Sequence, residues 1–125
     1  MKYLGIDYGE AKIGLAVSDG EIAEPVGVFS HGQHRAIALC CQQNKIEEIV
    51  IGISEGKIGE KTKKFGLELG KLTGLPVVYQ DETLTSQTAA KKMVEAGKSK
   101  MRRRIDGHAV AAALILQEWL DNKTN

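Results

Sequence analysis

Three acidic residues lie at the ends of apolar segments, where a folded chain could bring their carboxylates together. Asp7 follows the apolar residues 4–6, Glu82 comes shortly after the apolar run Pro76 to Tyr79, and Asp106 precedes the last apolar-periodic segment. An ionised group in an apolar segment is costly unless it lies at the edge of the core with a partner. Carboxylates from separate elements can hold two divalent ions about 4 Å apart, a centre that hydrolyses phosphodiesters. Because Mg²⁺ prefers hard oxygen ligands, the three acids indicate a site for Mg²⁺ or Mn²⁺.

Two of the acids, Asp7 and Asp106, also have an ordinary structural explanation, which the sequence leaves open. Asp7 could end a strand and face water before a turn. Asp106 could cap the last helix through a backbone N–H. His108, two residues later, is a candidate accessory residue at the same rim, although a lone helical histidine is often polar packing. Lys12, in the turn after Asp7, is a second accessory candidate.

The segment 91–104 is strongly basic. It holds seven basic residues and one acidic residue, whereas in the rest of the chain ten basic residues are outnumbered by fifteen acidic ones. The seven candidates for binding nucleic acid are Lys91, Lys92, Lys98, Lys100, Arg102, Arg103 and Arg104. Such polarity is typical of a protein with one face toward phosphates, and the alternative is a solvated loop between helices.

The apolar pattern predicts the elements that must position these residues. Three antiparallel strands are predicted first, at Lys2 to Tyr8, Ile13 to Ser18 and Ala23 to Ser30. Helices and strands then alternate: a helix from Gln33 to Asn44, a strand from Glu48 to Ile53, a helix from Lys61 to Thr73, a strand from Pro76 to Tyr79, a helix from Thr85 or Ser86 through Val94, and a helix from Ile105 to Leu120. The order predicts an α/β fold with a five-stranded mixed sheet, three antiparallel strands and then two parallel ones, and helices on both faces.

Length and composition narrow the function classes. The chain has 125 residues, of which 42% are apolar, and we expect one domain over residues 1–125. The formal net charge of +1 supplies no bulk attraction to nucleic acid, so any attraction must be local. Cys40 and Cys41 are sequence neighbours that could not easily bridge each other, which favours reduced thiols and a cytoplasmic protein. No apolar run approaches the roughly 18 residues of a membrane span, and we expect no membrane association.

Three segments of the chain resemble the YqgF family, also called RuvX. They are LGIDYG at 4–9 with IGLAVSD at 13–19, DETLTS at 81–86, and ID at 105–106 with AAA at 111–113 and LQ at 116–117. The resemblance covers essentially the whole chain and implies an RNase H-like fold. It matches the family's acids to Asp7, Glu82 and Asp106. Thr83 stands where the family often has Arg, which puts the grip on the substrate in doubt rather than catalysis.

The resemblance implies a metal-dependent nuclease that processes the 5′ end of pre-16S rRNA, with the small-subunit precursor as a partner and a monomer or weak homodimer as its state. One alternative is resolution of four-way DNA junctions, which needs paired cuts and normally a dimer. Another is an RNA-binding module without catalysis, against which the intact acids argue. Sugar kinases and actin-like ATPases share the Gly-Ile-Asp strand and its hairpin, but they need two such domains around a cleft.

Overall fold

Five strands and three helices form the part of the chain that the computed structural model describes, residues 1–81 and 107–123. The strands are β1 (Tyr3–Tyr8), β2 (Ile13–Ser18), β3 (Ala23–Phe29), β4 (Glu48–Ile53) and β5 (Val77–Asp81). The helices are α1 (His34–Gln43), α2 (Lys57–Thr73) and α3 (Gly107–Lys123). The helix predicted from Thr85 or Ser86 lies outside the described residues.

The strands form one mixed sheet in the order β3-β2-β1-β4-β5. β1 pairs antiparallel with β2, and β2 pairs antiparallel with β3. β1 pairs parallel with β4, and β4 pairs parallel with β5. The predicted five-stranded mixed sheet is therefore confirmed, and β1 lies at its centre.

One face of the sheet carries large apolar side chains and is covered by α1 and α2. Side chains of a strand alternate between the two faces, so Leu4 and Ile6 of β1 share this face with Ile49 and Ile51 of β4. Leu69 of α2 packs into the same cluster, and all of these side chains are fully buried. This layer is the large-residue face of the sheet.

The opposite face carries small residues and is covered by α3, and we call it the small-residue face. A Cβ at Gly5 of β1 would lie 2.6 Å from the Cβ of Leu116 in α3 and 2.9 Å from the carbonyl oxygen of Ala112. Both distances are too short for a real side chain, so glycine at this position is what allows α3 to lie directly against β1. The alanines of α3 reinforce this, because Ala109, Ala112 and Ala113 are fully buried.

The middle of α3 is tied to the sheet by one buried polar side chain, Gln117. Its Oε1 accepts a hydrogen bond of 2.9 Å from the backbone N–H of Ala23, and its Nε2 donates one of 3.0 Å to the carbonyl of Glu21. These bonds fix the position of α3 along the sheet.

Among the described residues, no helix is long and apolar enough to cross a membrane.

Several predicted boundaries differ from the structure, and those of α2 and β5 have a visible cause in packing. α2 begins at Lys57, four residues before the predicted start, and Gly59 within its first turns packs against the Ser54 carbonyl so closely that a side chain would not fit. β5 begins at Val77 rather than Pro76 and extends to Asp81, which pairs with Ile53 of β4. In both cases packing against β4 or its following loop determines the boundary.

Candidate active site

Asp7 lies near the carboxyl end of the central strand and faces α3. It is two residues after Gly5, so its side chain leaves the sheet on the small-residue face. The side chain is 16% exposed. A carboxylate that is mostly buried but reachable from solvent can bind a ligand without a complete desolvation penalty, which separates Asp7 from a surface turn residue.

Glycines flank Asp7 on both neighbouring strands. Gly14 of β2 and Gly52 of β4 are its partners in the sheet register, and residues paired across strands point to the same face. A Cβ at Gly14 would overlap the backbone carbonyl of His108 at the start of α3. The two glycines therefore leave the Asp7 carboxylate without side-chain neighbours along the sheet and let the first turn of α3 approach it.

His108 is the described side chain of α3 that faces Asp7. Its Nδ1 lies 3.7 Å from Oδ2 of Asp7, which is beyond hydrogen-bond length, and its side chain is 42% exposed. A Cβ at Gly9 would lie 3.5 Å from both Cε1 and Nδ1 of the ring. The imidazole thus lies between the carboxylate and the hairpin that follows β1.

The carboxyl end of β5 lies on the same side of the sheet as the carboxyl end of β1, two strands away from Asp7. β4 lies between β1 and β5, so the backbones of β1 and β5 are separated by roughly 10 Å, twice the usual strand spacing. Gln80 pairs with Gly52, which pairs in turn with Asp7, so these three residues form one row on the small-residue face. Gly52 leaves that row without a side chain between Asp7 and Gln80.

Several predicted site residues cannot be placed by this geometry. Glu82, Asp106 and the seven basic residues between 91 and 104 lie outside the described residues. Sequence adjacency relates two of them to described elements: Glu82 directly follows Asp81, the last residue of β5, and Asp106 directly precedes Gly107, the first residue of α3. Lys12 is exposed in the hairpin before β2, and its carbonyl accepts a hydrogen bond of 3.0 Å from the Gly9 N–H.

Among the described residues near this point of the sheet, the Asp7 carboxylate is a suitable ligand for a hard divalent cation. Its carboxylate supplies hard oxygen, and Gly52 presents no side chain beside it on the β4 side. Over residues 1–81 and 107–123, no group of three or more His, Cys, Asp or Glu side chains could hold a metal ion. A complete site at Asp7 therefore needs donors from segment 82–106, where two of the three predicted acids lie.

Sequence reasoning missed the glycines that shape this site. Gly14 and Gly52 looked like ordinary glycines within apolar runs, and their place beside Asp7 depends on the strand register. A signal was present, because glycine inside a strand pattern often marks the close approach of another backbone.

The chain is similar to known proteins along its whole length. The family model described as "RuvX: Holliday junction resolvase" matches residues 1–122. A protein of Anaeromyxobacter sp. (strain Fw109-5) named "Putative pre-16S rRNA nuclease" is 37% identical over 98% of this chain and 98% of its own. A protein of the same name from Agathobacter rectalis is 36% identical over 100% of this chain and 98% of its own.

Solved structures share the fold at low sequence identity. Thermus thermophilus RuvC in complex with Holliday junction substrate superposes with a TM-score of 0.71 at 18% identity, covering 100% of this chain and 96% of that one. The fowlpox virus Holliday junction resolvase gives a TM-score of 0.59 at 10% identity, covering 98% of this chain and 99% of that one. These likenesses show an RNase H-like arrangement of sheet and helices.

Proposed function

Because the chain belongs to the RuvX family of Holliday junction resolvases, a group of phosphodiester hydrolases, we propose that it is a divalent-metal-dependent endonuclease. Its proposed substrate is the 5′ region of pre-16S rRNA, which the names of its 36–37% identical relatives support. We propose Asp7, Glu82 and Asp106 as the residues that hold Mg²⁺ or Mn²⁺, and one domain that acts as a monomer or weak homodimer on the small-subunit precursor.

One observation carries this proposal: the Asp7 carboxylate faces the first turn of α3, whose backbone packs directly on Gly14, the register partner of Asp7. Asp106 directly precedes that turn, and Glu82 directly follows the strand that ends at the same sheet edge. Asp106 is thus a sequence neighbour of the helix that faces Asp7, and Glu82 of a strand that ends two strands away from it, which supports a shared carboxylate centre.

The residues have separable roles in this mechanism. A bound divalent cation would supply Lewis-acid chemistry, lowering the pKa of a water and neutralising charge on the phosphate. Asp7 provides a rigid donor because the sheet holds its backbone on both sides through β2 and β4. On the β4 side of the carboxylate, Gly52 has no side chain that would block a phosphate. His108, 3.7 Å from Asp7, borders the same space.

The direct test is cleavage of a 5′-labelled pre-16S RNA fragment by the wild type and by Asp7→Asn, in matched Mg²⁺ or Mn²⁺. We expect Asp7→Asn to lose about 100-fold or more in rate, because metal stabilisation of the transition state is worth several kcal/mol. Asp19→Asn is the matched control, since Asp19 is an exposed aspartate in the β2–β3 turn. Equal rates for the wild type and Asp7→Asn, in preparations free of contaminating nuclease, would remove Asp7 from the mechanism.

The basic segment is proposed to bind the phosphate backbone. Neutralising Arg102, Arg103 and Arg104 together should weaken binding to every sequence. It should also flatten the dependence of log K on log salt by about 0.9 for each duplex phosphate that the variant no longer binds. An unchanged salt slope would mean that these arginines never touch the substrate.

A second candidate substrate is a four-way DNA junction, which the description of the matched family favours. Resolution needs paired cuts, so a dimer should appear in light scattering when the junction is bound. Rates on the RNA fragment and on a synthetic junction, measured with one preparation, distinguish the two substrates. Binding of both without cleavage of either would favour the RNA-binding module over any nuclease.

A further inference from the structure

A small cavity lies beside the end of β1, on the sheet face opposite to Asp7. Its volume is about 210 Å³. That is below the range of roughly 300–1,000 Å³ typical of sites for drug-sized ligands, and it suits a group as small as one nucleobase. Tyr8, the residue after Asp7, forms one wall, and α2 forms another.

Aromatic rings form the lining of this cavity. Tyr8 contacts the ring of His31 edge-on with centroids 4.9 Å apart, and it contacts Phe65 at 5.0 Å. His34 lies 5.0 Å from Phe65. Phe65 is buried and forms the floor, whereas His31 is exposed at the mouth. An exposed ring at the mouth of an aromatic-lined cavity offers a surface on which a base can stack.

Polar and charged groups surround the rings. Lys61 and Lys64 line the cavity, and they lie one turn apart on α2 with exposed side chains. Nε2 of His34 is buried and has no hydrogen-bond partner within the described part of the chain, and the nearest carboxylate oxygen, Oε1 of Glu68, is 3.7 Å away. Glu68 also lines the cavity, so a ligand there meets one carboxylate beside the two lysines.

The cavity is connected to Asp7 through the backbone. Tyr8 and Asp7 are adjacent, so their Cα atoms are about 3.8 Å apart although their side chains leave opposite faces. Nε2 of His31 is 2.9 Å from the carbonyl oxygen of Gly9, in the hairpin that follows both residues. A single strand of nucleic acid that passes the carboxyl end of β1 can therefore place consecutive nucleotides against the two faces of the sheet.

We propose that this cavity binds one unpaired nucleotide of the substrate strand next to the phosphate at Asp7. The base stacks on the exposed ring of His31, with Tyr8 as the edge-on neighbour of that ring, and its phosphate lies against Lys61 and Lys64. The inference rests on the proposed function for the identity of the strand. It goes further by assigning a single-stranded binding position outside the acidic centre and outside the basic segment.

Binding without cleavage tests the two lysines. The assay is fluorescence anisotropy of a 12-nucleotide single-stranded RNA in EDTA, with the wild type and Lys61→Ala/Lys64→Ala. The matched control is Lys2→Ala/Lys71→Ala, which removes the same charge from exposed positions away from the cavity. We expect the cavity pair to lower the salt slope by about 0.7, the value for one single-strand phosphate that is no longer bound. The control pair should change it less, and equal changes would overturn the proposal.

Ring replacement at His31 tests stacking. His31→Ala should weaken binding of the same RNA about fivefold or more, while His31→Phe should restore it, because base stacking needs a ring rather than an imidazole. Equal weakening by Ala and Phe would show that the hydrogen bond to Gly9 matters instead, and would overturn the stacking.

These readouts remain separate from the proposed function. If the wild type cleaves the pre-16S fragment while all cavity variants bind and cleave normally, this inference fails and the nuclease stands. If nothing is cleaved but the variants lose binding as described, the nuclease fails and the nucleotide cavity stands.

Discussion

The two faces of the sheet are built from different residues, and the difference separates stability from chemistry. On the large-residue face, leucine and isoleucine side chains of β1 and β4 pack against α1 and α2. On the small-residue face, Gly5 and Gly14 bring the backbone of α3 close to the sheet. Large apolar side chains contribute most of the burial that stabilises the fold. The small-residue face contributes less burial for each residue but keeps Asp7 accessible.

The largest expected effect is on stability, from truncation of the large-residue face. Leu69→Ala removes a side chain that is fully buried on α2, and the resulting cavity should lower the free energy of unfolding by about 2–5 kcal/mol. Equilibrium unfolding in urea measures this change in the free energy of unfolding. The control is Leu67→Ala on the same helix, where the side chain is 66% exposed and the expected change is within about 0.5 kcal/mol. Cleavage by Leu69→Ala at low temperature should remain near the wild-type rate.

If Leu69→Ala loses cleavage while still folded, the division between the two faces is wrong. Folding at the assay temperature is checked by circular dichroism, so that loss of structure is not mistaken for loss of chemistry.

The next effect is on catalysis, from a single methyl group on the small-residue face. Gly14→Ala introduces a Cβ that overlaps the His108 carbonyl, so the first turn of α3 must move away from β2. A displacement of about 1 Å near reacting groups can cost about 100-fold in rate. We expect the cleavage rate to fall about 100-fold. The amide NMR shifts that differ from the wild type should be concentrated at the start of α3.

Gly27→Ala is the control for that substitution, because a Cβ at this β3 position meets nothing within 4 Å. It should leave cleavage unchanged. Normal cleavage by Gly14→Ala would mean that the close approach of α3 has no role in the site.

The sequence predicted most of the large-residue face and less of the small-residue face. β4 was predicted with its observed bounds, because an unbroken run of β-branched residues is typical of a strand that is buried on both faces. Asp7 was found because a carboxylate in an apolar run is conspicuous. Gly14 and Gly52 were not recognised as its neighbours, since pairing depends on long-range register that local periodicity does not contain. His108 was predicted at the same rim from its position two residues after Asp106, but its distance of 3.7 Å from Asp7 depends on how α3 docks.

The smallest expected effect is the pH dependence of the large-residue face. Burial raises the pKa of the Cys41 thiol to about 12, with neighbouring Cys40 adding to the shift. The unfolded thiol ionises at lower pH than the folded one. Its contribution to stability is therefore complete below about pH 9 and is lost as pH rises toward 12.

Unfolding measured at pH 8, 9 and 10 should show a steeper loss of stability for the wild type than for Cys41→Ala, by less than about 1.4 kcal/mol per pH unit. The comparison between variants cancels the titration of lysines and tyrosines. Parallel pH profiles would show that Cys41 reaches solvent in the folded protein, and would weaken the description of this face as a closed core.

The hydrogen bond between Gln117 and Ala23 has a consequence for biosynthesis. It joins residues that are 94 positions apart, so it cannot form until most of the chain has emerged from the ribosome. Until then the sheet lacks the cover of α3, and apolar side chains on that surface, such as Val50, are left open to water and to chaperones. The Asp7 carboxylate also lacks its His108 neighbour until α3 has been made, so this part of the sheet acquires its final surroundings only late in synthesis.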